Sequence, residues 1–123
     1  MRIKVLFTLL LLLFAGCLQQ KFSGIAPNPY PAPDFTPTNQ FGERVTLSDF
    51  RGKVVVLSFL YTSCPTVCPV ITTKFADAAK SLKSKEATFV AITVDLEMDT
   101  PERTRKYIED KGLQGKMYYL TGK

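Results

Sequence analysis

Residues 53–69 read KVVVLSFLYTSCPTVCP and join an apolar run to a loop that contains two cysteines. The run, residues 53–61, is rich in valine, leucine and phenylalanine, and such a run is typical of a central strand buried on both faces. The loop carries Cys64 and Cys68, each followed by proline. A buried strand that ends in a pair of thiols indicates a redox or metal-binding site.

The segments after this loop alternate between helix and strand patterns. Apolar residues recur at helical spacing over residues 69–84, and residues 87–94 predict a second buried strand. Thr100 and Pro101 predict the start of a helix that runs to about Lys111, with Gly112 ending it and a third strand starting at residue 117. Strands alternating with helices imply right-handed crossovers, so we predict an α/β fold with a mostly parallel central sheet flanked by helices.

The segment before the first strand is short and rich in turn-forming residues. Residues 34–47 predict a hairpin with its turn at residues 39–43, and residues 48–52 predict a single helical turn. The sequence ends directly after the third predicted strand, without an element to cover it. We therefore expect a domain over residues 34–123 that is incomplete at the C-terminus.

The first residues have the three parts of a signal peptide, which are a basic start, an apolar run and small residues before a cleavage point. We assign this signal to residues 1–16. The order FAGC that ends at Cys17 resembles a bacterial lipobox, so we expect lipidation of Cys17 and a membrane anchor on the extracytoplasmic, periplasmic face. Plain secretion or an uncleaved anchor is the alternative. Residues 17–33 are rich in Pro, Asn, Gln, Ser and Gly and predict a flexible tether.

The composition argues against a nucleic-acid partner. The formal net charge is +5, but Arg2 and Lys4 of the export segment contribute to it, and no basic run or aromatic platform is present. An odd number of cysteines in an exported chain indicates a free or modified thiol. If Cys17 carries lipid, Cys64 and Cys68 are the remaining thiols.

The spacing of the cysteine pair is compatible with more than one chemistry. Residues four apart on a helix have Cβ atoms about 5–6 Å apart, which is slightly wider than the roughly 3.5–4.5 Å of a disulfide. A small backbone adjustment closes a disulfide, so metal binding and redox switching both remain open, as does a purely structural role. Two thiolates favour soft ions such as Cu(I). The chain contains no histidine, so the local alternatives for further ligands are Asp95, Asp99 and Met98.

The acidic residues after the second strand are the other candidate cluster. Asp95, Glu97 and Asp99 follow that strand at alternate positions. Carboxylates in such a polar stretch are typical of turns. We expect these three residues to form a solvated turn rather than a ligand cluster, with Met98 partly exposed.

The sequence over about residues 33–123 resembles the Sco family of copper proteins, of the SenC and PrrC type, which have a thioredoxin-like fold. The resemblance is carried by Tyr61, Thr62, Cys64, Pro65, Val67, Cys68 and Pro69, by Asp95, Glu97, Asp99 and Thr100, and by Leu120, Thr121 and Gly122. The loop around Asp95 differs, because Leu96 stands where the family usually has proline and Met98 where arginine is common.

This resemblance implies that Cys64 and Cys68 bind a copper ion, as Cu(I) or Cu(II), together with a histidine from a later hairpin. That third ligand is expected beyond Lys123. The resemblance further implies a metallochaperone for the copper centre of cytochrome c oxidase. Its partner is then the copper-site subunit or another copper acceptor, and it acts as copper donor, as thiol reductant, or as both. In the reductant role Cys64 and Cys68 are the catalytic residues.

The alternative is an exported thioredoxin-like or peroxiredoxin-like thiol oxidoreductase. Peroxiredoxins have proline and threonine seven and three residues before the reactive cysteine, and for Cys68 those positions hold Tyr61 and Pro65. Thioredoxins have two residues between their cysteines, whereas three separate Cys64 from Cys68.

Overall fold

The computed structural model describes residues 24–25, 27–82 and 87–122. The chain divides into two units, Met1–Pro31 and Ala32–Lys123. The described residues of the first unit are exposed and form neither helix nor strand. The predicted signal peptide, Cys17 and the first part of the predicted tether lie outside the described residues. Among the described residues, no helix has the length and apolarity that a membrane crossing requires.

The second unit alternates strands and helices as the sequence predicts. The elements are β1 (Val54–Leu60), α1 (Val67–Ser81), β2 (Ala87–Thr93), α2 (Pro101–Asp110) and β3 (Met117–Leu120). The strands form a three-stranded sheet in the order β1-β2-β3. Both pairings are parallel, with Val54 opposite Ala87 and Phe89 opposite Met117. The predicted α/β fold with a parallel sheet is therefore confirmed.

The sheet separates two apolar layers, because side chains along each strand alternate between its faces. On one face, strand residues such as Leu60, Phe89 and Tyr119 pack with residues of the helices, among them Phe75 and Ile108. On the other face, Val90 and Leu120 pack with Phe50 and residues of the segment before β1. Among the described residues, α1 and α2 thus cover one face of the sheet, and the N-terminal segment of the unit covers the other.

The position of β1 differs from the prediction. Within the described part of the chain β2 is the central strand, and β1 pairs with β2 alone. Val54 and Phe59 are 64% and 62% exposed, so the predicted burial of this strand on both faces is wrong for these residues. An apolar run reports which side chains favour burial, but it does not report how many neighbours the strand has.

The segment before β1 forms the predicted hairpin as an irregular pair. Thr38 bridges Arg44 in antiparallel fashion, and the amide of Asn39 donates to the carbonyl of Glu43. The Asn39 side chain closes the turn by accepting hydrogen bonds from the amides of Phe41 and Glu43, at 2.8 and 3.0 Å. The predicted helical turn is a short 3-10 helix, Leu47–Phe50.

The same segment also covers the outer edge of β3. Gln40 is buried, donating to the carbonyl of Met117 at 3.1 Å and accepting from the amide of Tyr119 at 2.9 Å. Thr38 bridges Thr121 in antiparallel fashion just after β3 ends. The side chain of Gln40 therefore takes the place of a strand neighbour for β3.

Helix α1 begins two residues earlier than predicted, at Val67 rather than at residue 69, and it ends at Ser81. Its predicted end at residue 84 falls in the gap of the described residues. The early start has a functional consequence, because it places Cys68 in the first turn of the helix and leaves Cys64 in the preceding loop.

Candidate metal centre

The two cysteines meet where β1 ends and α1 begins. Both are buried, with 6% of Cys64 and 3% of Cys68 exposed, and neither forms a disulfide. The loop turns sharply at Cys64, whose amide donates to the carbonyl of Tyr61 at 3.2 Å. The Cys64 sulfur then accepts a hydrogen bond from the amide of Cys68 at 3.3 Å. The first amides of a helix lack carbonyl partners within the helix, so this sulfur caps the start of α1.

The two sulfurs have opposite electrostatic environments. A hydrogen bond from Cys68 lowers the pKa of the Cys64 thiol to about 6, against the opposing effect of burial, and the amides of Thr66 and Cys68 lower it further. Burial is the main cause that raises the pKa of Cys68, and the hydrogen bond between Cys68 and Cys64 raises this pKa further. Cys64 is therefore the thiolate of the pair near neutral pH, and Cys68 is its hydrogen-bond donor.

Tyr61 lies beside the pair and is half-buried. Its hydrogen bond to Cys64 is the main cause that raises the pKa of the Tyr61 hydroxyl, and the same bond lowers the pKa of Cys64. The phenol thus stays protonated while it donates to the thiolate. The Tyr61 hydroxyl therefore adds a further donor to those that the start of the helix provides.

The backbone of Cys68 is fixed from the helical side. Thr72 donates its hydroxyl to the carbonyl of Cys68 at 2.8 Å. Since that proton is used, the Tyr107 hydroxyl donates to Thr72 Oγ1, 2.9 Å away. Tyr107 of α2 also packs edge-on against Tyr119 of β3 at a centroid distance of 5.9 Å. The second cysteine is therefore tied through Thr72 to both α2 and β3.

Asp99 corrects the prediction of a solvated acidic turn. It is 3% exposed and lies beneath the cysteine loop rather than in solvent. Its carboxyl oxygens accept hydrogen bonds from the amide and hydroxyl of Thr62, from the hydroxyl of Thr93 at 2.6 Å, and from the hydroxyl of Tyr119 at 3.4 Å. Polar groups supplied by three separate parts of the chain are what allow a carboxyl group to be buried here.

The other residues of that turn behave as predicted. Asp95 accepts a hydrogen bond from the amide of Met98 at 3.1 Å, while Glu97 and Met98 are exposed. Within the described ranges, no group of three or more His, Cys, Asp or Glu side chains is placed to hold a metal ion. The structure therefore brings the two cysteines together and does not add Asp95 or Asp99 to them as a ligand cluster.

Sequence reasoning missed the polar residues around Asp99, of which Arg103 is the most exposed. The Nε atom of Arg103 donates to Thr62 Oγ1 at 2.7 Å. One available signal was Thr93, a polar residue at a buried position of a mostly apolar strand. A buried hydroxyl in such a strand requires a hydrogen-bond partner, and the nearby acidic residues are candidates for it.

Comparison with known proteins bears on this arrangement. The family model SCO1/SenC matches residues 25–123. The SCO1 protein homolog of Bacillus subtilis (strain 168) is 31% identical over 117 residues, which is 93% of this chain and 60% of that protein. The chain belongs to the SCO1/SenC family. It spans about 60% of this relative's length.

Solved structures of the family share the fold. The copper-bound ScoI of Bradyrhizobium japonicum is 28% identical, with a TM-score of 0.68, over 74% of this chain and 58% of that one. BsSco, a member of the Sco family of cytochrome c oxidase assembly proteins in which a disulfide switch is described, is 32% identical with a TM-score of 0.68, over 76% and 56%. A SCO1/SenC family lipoprotein of Bacillus anthracis is 35% identical with a TM-score of 0.65, over 74% and 56%. The fold of this chain is therefore the thioredoxin-like fold of the Sco family.

The donor set of the site fits a soft metal ion. Two thiol groups converge at a helix start, where amide groups and the helix dipole favour the thiolate form that binds metals. Thiolates favour soft ions such as Cu(I), whereas a structural zinc site takes four ligands. Within the described part of the chain the site offers the sulfurs of Cys64 and Cys68.

Proposed function

We propose that Cys64 and Cys68 bind copper as Cu(I), and that this Sco-family chain is a copper chaperone in the assembly of the copper centre of cytochrome c oxidase. The observation that carries the proposal is the pairing of two buried, reduced thiols at the start of α1, with the Cys64 sulfur on the amide of Cys68. The copper-bound ScoI structure and the assembly role stated for BsSco support it. The partner in this proposal is the copper-site subunit of the oxidase or another copper acceptor.

The environments of the two thiols indicate how this chain receives its cargo. Cys64 offers a thiolate, because its pKa is lowered to about 6. Cys68, whose pKa is raised, gives up its proton on binding, as thiol ligands do. Burial of both residues limits contact with solvent. A buried pair of thiolates would hold a soft cation such as Cu(I). It would still allow transfer of that ion to a partner that presents further sulfur ligands.

Copper stoichiometry tests this proposal. The reduced full-length protein should bind one Cu(I), and the Cys64→Ser, Cys68→Ser variant should lose that binding. Ser63→Ala is the matched control, because Ser63 lies in the same loop with an exposed side chain. Equal stoichiometry in the wild type and the double serine variant would refute the proposal.

A second candidate function is thiol–disulfide exchange at the same pair, favoured by the asymmetry of the two pKa values. The Cys64 thiolate would attack a disulfide of the copper acceptor and release one acceptor thiol. Cys68 would then attack the mixed disulfide, so that a Cys64–Cys68 disulfide forms and the acceptor is reduced by two electrons. The disulfide switch described for BsSco supports this route.

A peptide with the two cysteines of an acceptor site joined by a disulfide separates the candidates. Stoichiometric reduction of this peptide by the metal-free protein would establish the exchange activity, and Cys68→Ser should stop at the mixed disulfide. Rapid turnover of hydrogen peroxide would instead indicate a peroxiredoxin-like enzyme. A protein that binds Cu(I) and leaves the peptide oxidised is a copper donor alone.

We further propose that the domain is held at the outer face of the membrane by lipid on Cys17. The order FAGC after an apolar run supports this anchor. A lipoprotein also occurs among the family members, in Bacillus anthracis. A tether over residues 17–33 would let the thiol pair reach a membrane-bound acceptor.

A further inference from the structure

Asp99 is a buried carboxyl group that the copper chemistry above does not use. It lies between β2 and α2, and its oxygens accept hydrogen bonds from both the amide and the hydroxyl of Thr62. Thr93 at the end of β2 and Tyr119 of β3 hold the same carboxyl group from the sheet. Asp99 is thus anchored in the core on one side and attached to the cysteine loop on the other.

Arg103 forms a hydrogen bond to the same threonine from the solvent side. Its Nε donates to Thr62 Oγ1 at 2.7 Å, while the proton of that hydroxyl goes to Asp99. Arg103 stands in the first turn of α2, where its amide donates to the Thr100 side chain at 3.3 Å. The Thr62 hydroxyl therefore bonds both to the buried carboxyl group of Asp99 and to the exposed side chain of Arg103. Asp99 lies in the loop just before α2, and Arg103 lies in the first turn of that helix.

Thr62 lies two residues before Cys64, inside the turn that the Cys64 amide closes onto the carbonyl of Tyr61. The place of Thr62 therefore fixes where the Cys64 sulfur stands relative to the start of α1. We propose that Asp99, Arg103 and Thr62 form a positioning clamp. The clamp holds the Cys64 sulfur at the position relative to the Cys68 sulfur that Cu(I) binding requires. This inference rests on the proposed binding of Cu(I) by the pair.

The clamp would fix the cysteine that α1 does not hold. Cys68 is set by α1 and by Thr72, but Cys64 is in a loop, and a loop residue moves unless outer contacts fix it. Residues that orient metal ligands from outside typically change metal affinity by about 10- to 100-fold when they are replaced. The clamp residues need not touch the ion in order to act on it.

The test measures the affinity of the reduced full-length protein for Cu(I), by competition with a chromogenic Cu(I) chelator. Thr62→Val removes the hydroxyl that joins Asp99 to Arg103, and we expect its affinity to fall by about tenfold. Thr62→Ser restores the hydroxyl and should restore the affinity. Thr73→Val is the matched control, because Thr73 makes a comparable hydroxyl bond, to the carbonyl of Pro69 at 2.9 Å, on an exposed part of α1.

Unfolding by urea, measured on the same variants, separates positioning from stability. The proposal is overturned if Thr62→Val loses no more affinity than Thr73→Val, or if Thr62→Ser fails to recover it. Arg103→Met keeps the test valid should Thr62→Val fail to fold, since Arg103 is exposed. It should weaken Cu(I) binding several-fold, and wild-type affinity in this variant would also overturn the clamp. The double serine variant tests separately whether copper binding depends on Cys64 and Cys68. Unchanged binding in that variant would refute the proposed function rather than the clamp alone.

Discussion

At the scale of single residues, the two cysteines differ because one belongs to a loop and the other to a helix. Cys64 receives hydrogen bonds from the start of α1, whereas Cys68 is buried beside Asp99, whose negative charge contributes to its raised pKa. The four-residue spacing places the sulfurs close together, but the start of the helix makes them chemically unequal. An unequal pair suits the proposed copper transfer, in which the site receives an ion and releases it.

The pH dependence of alkylation tests this inequality. In the reduced protein, the rate of reaction of Cys64 with iodoacetamide should rise through pH of about 6 and level off above it, because only the thiolate reacts. Cys68 should react at higher pH, because its pKa is raised. Peptide mapping by mass spectrometry assigns each label.

Replacement of the donor provides the control for that measurement. Cys68→Ala removes the hydrogen bond that is the largest cause of the lowered pKa, so the midpoint for Cys64 should move upward. Tyr61→Phe removes a smaller contribution and should move it less. Identical profiles for Cys64 and Cys68 in the wild type would contradict the assignment of Cys64 as the thiolate.

At the scale of elements, the end of α2 is the clearest case in which sequence determines geometry. Gly112 has a φ of +65°, in the left-handed region that favours glycine. Its amide donates to the carbonyl of Glu109, and the amide of Leu113 donates to the carbonyl of Ile108, which together form a Schellman motif. Leu113 and Ile108 are both buried, so this stop joins α2 to the core.

Substitution of Gly112 should therefore destabilise the domain. Gly112→Ala forces a Cβ into the left-handed conformation, and we expect the free energy of unfolding to fall by about 1–2 kcal/mol. Gly112→Asn should cost less, because asparagine tolerates this conformation. Urea denaturation measures the change, and Lys116→Ala, at an exposed position nearby, serves as the control. An unchanged unfolding midpoint in Gly112→Ala would show that the motif does not limit stability.

The sequence predicts the helices and strands better than it predicts the long-range contacts between them. The helix starting at Pro101, the strand Met117–Leu120 and the thiol pair all follow from local signals such as caps, breakers and apolar runs. The position of β1 among the described strands and the burial of Asp99 do not, because both depend on residues far away in the chain. The partners of Asp99 lie 37, 6 and 20 positions from it, and of these only Thr93 is near in sequence.

At the scale of the whole molecule, the site is built where the ends of β1 and β2 meet the start of α1 and the loop before α2. The ends of β1 and β2 carry Leu60 and Thr93, α1 begins with Cys68 in its first turn, and the loop before α2 contributes Asp99. Parallel strands place such loops at one edge of the sheet, so that residues distant in sequence converge there. The segment before β1 contributes to the opposite face and to the edge of β3 instead. The thiol pair itself belongs to the core cluster between the sheet and the helices, so the site is built into the stabilising part of the fold.

The proposed lipid anchor is based on the sequence FAGC at residues 14–17. In a bacterial host, the wild type should incorporate a radioactive fatty acid and have a mature N-terminus at Cys17, whereas Cys17→Ser should lack the label and retain residues 1–16. Cys64→Ser is the matched control and should keep the label, because its thiol lies within the folded domain. A label that persists in Cys17→Ser, or a mature terminus elsewhere, would exclude the lipid anchor.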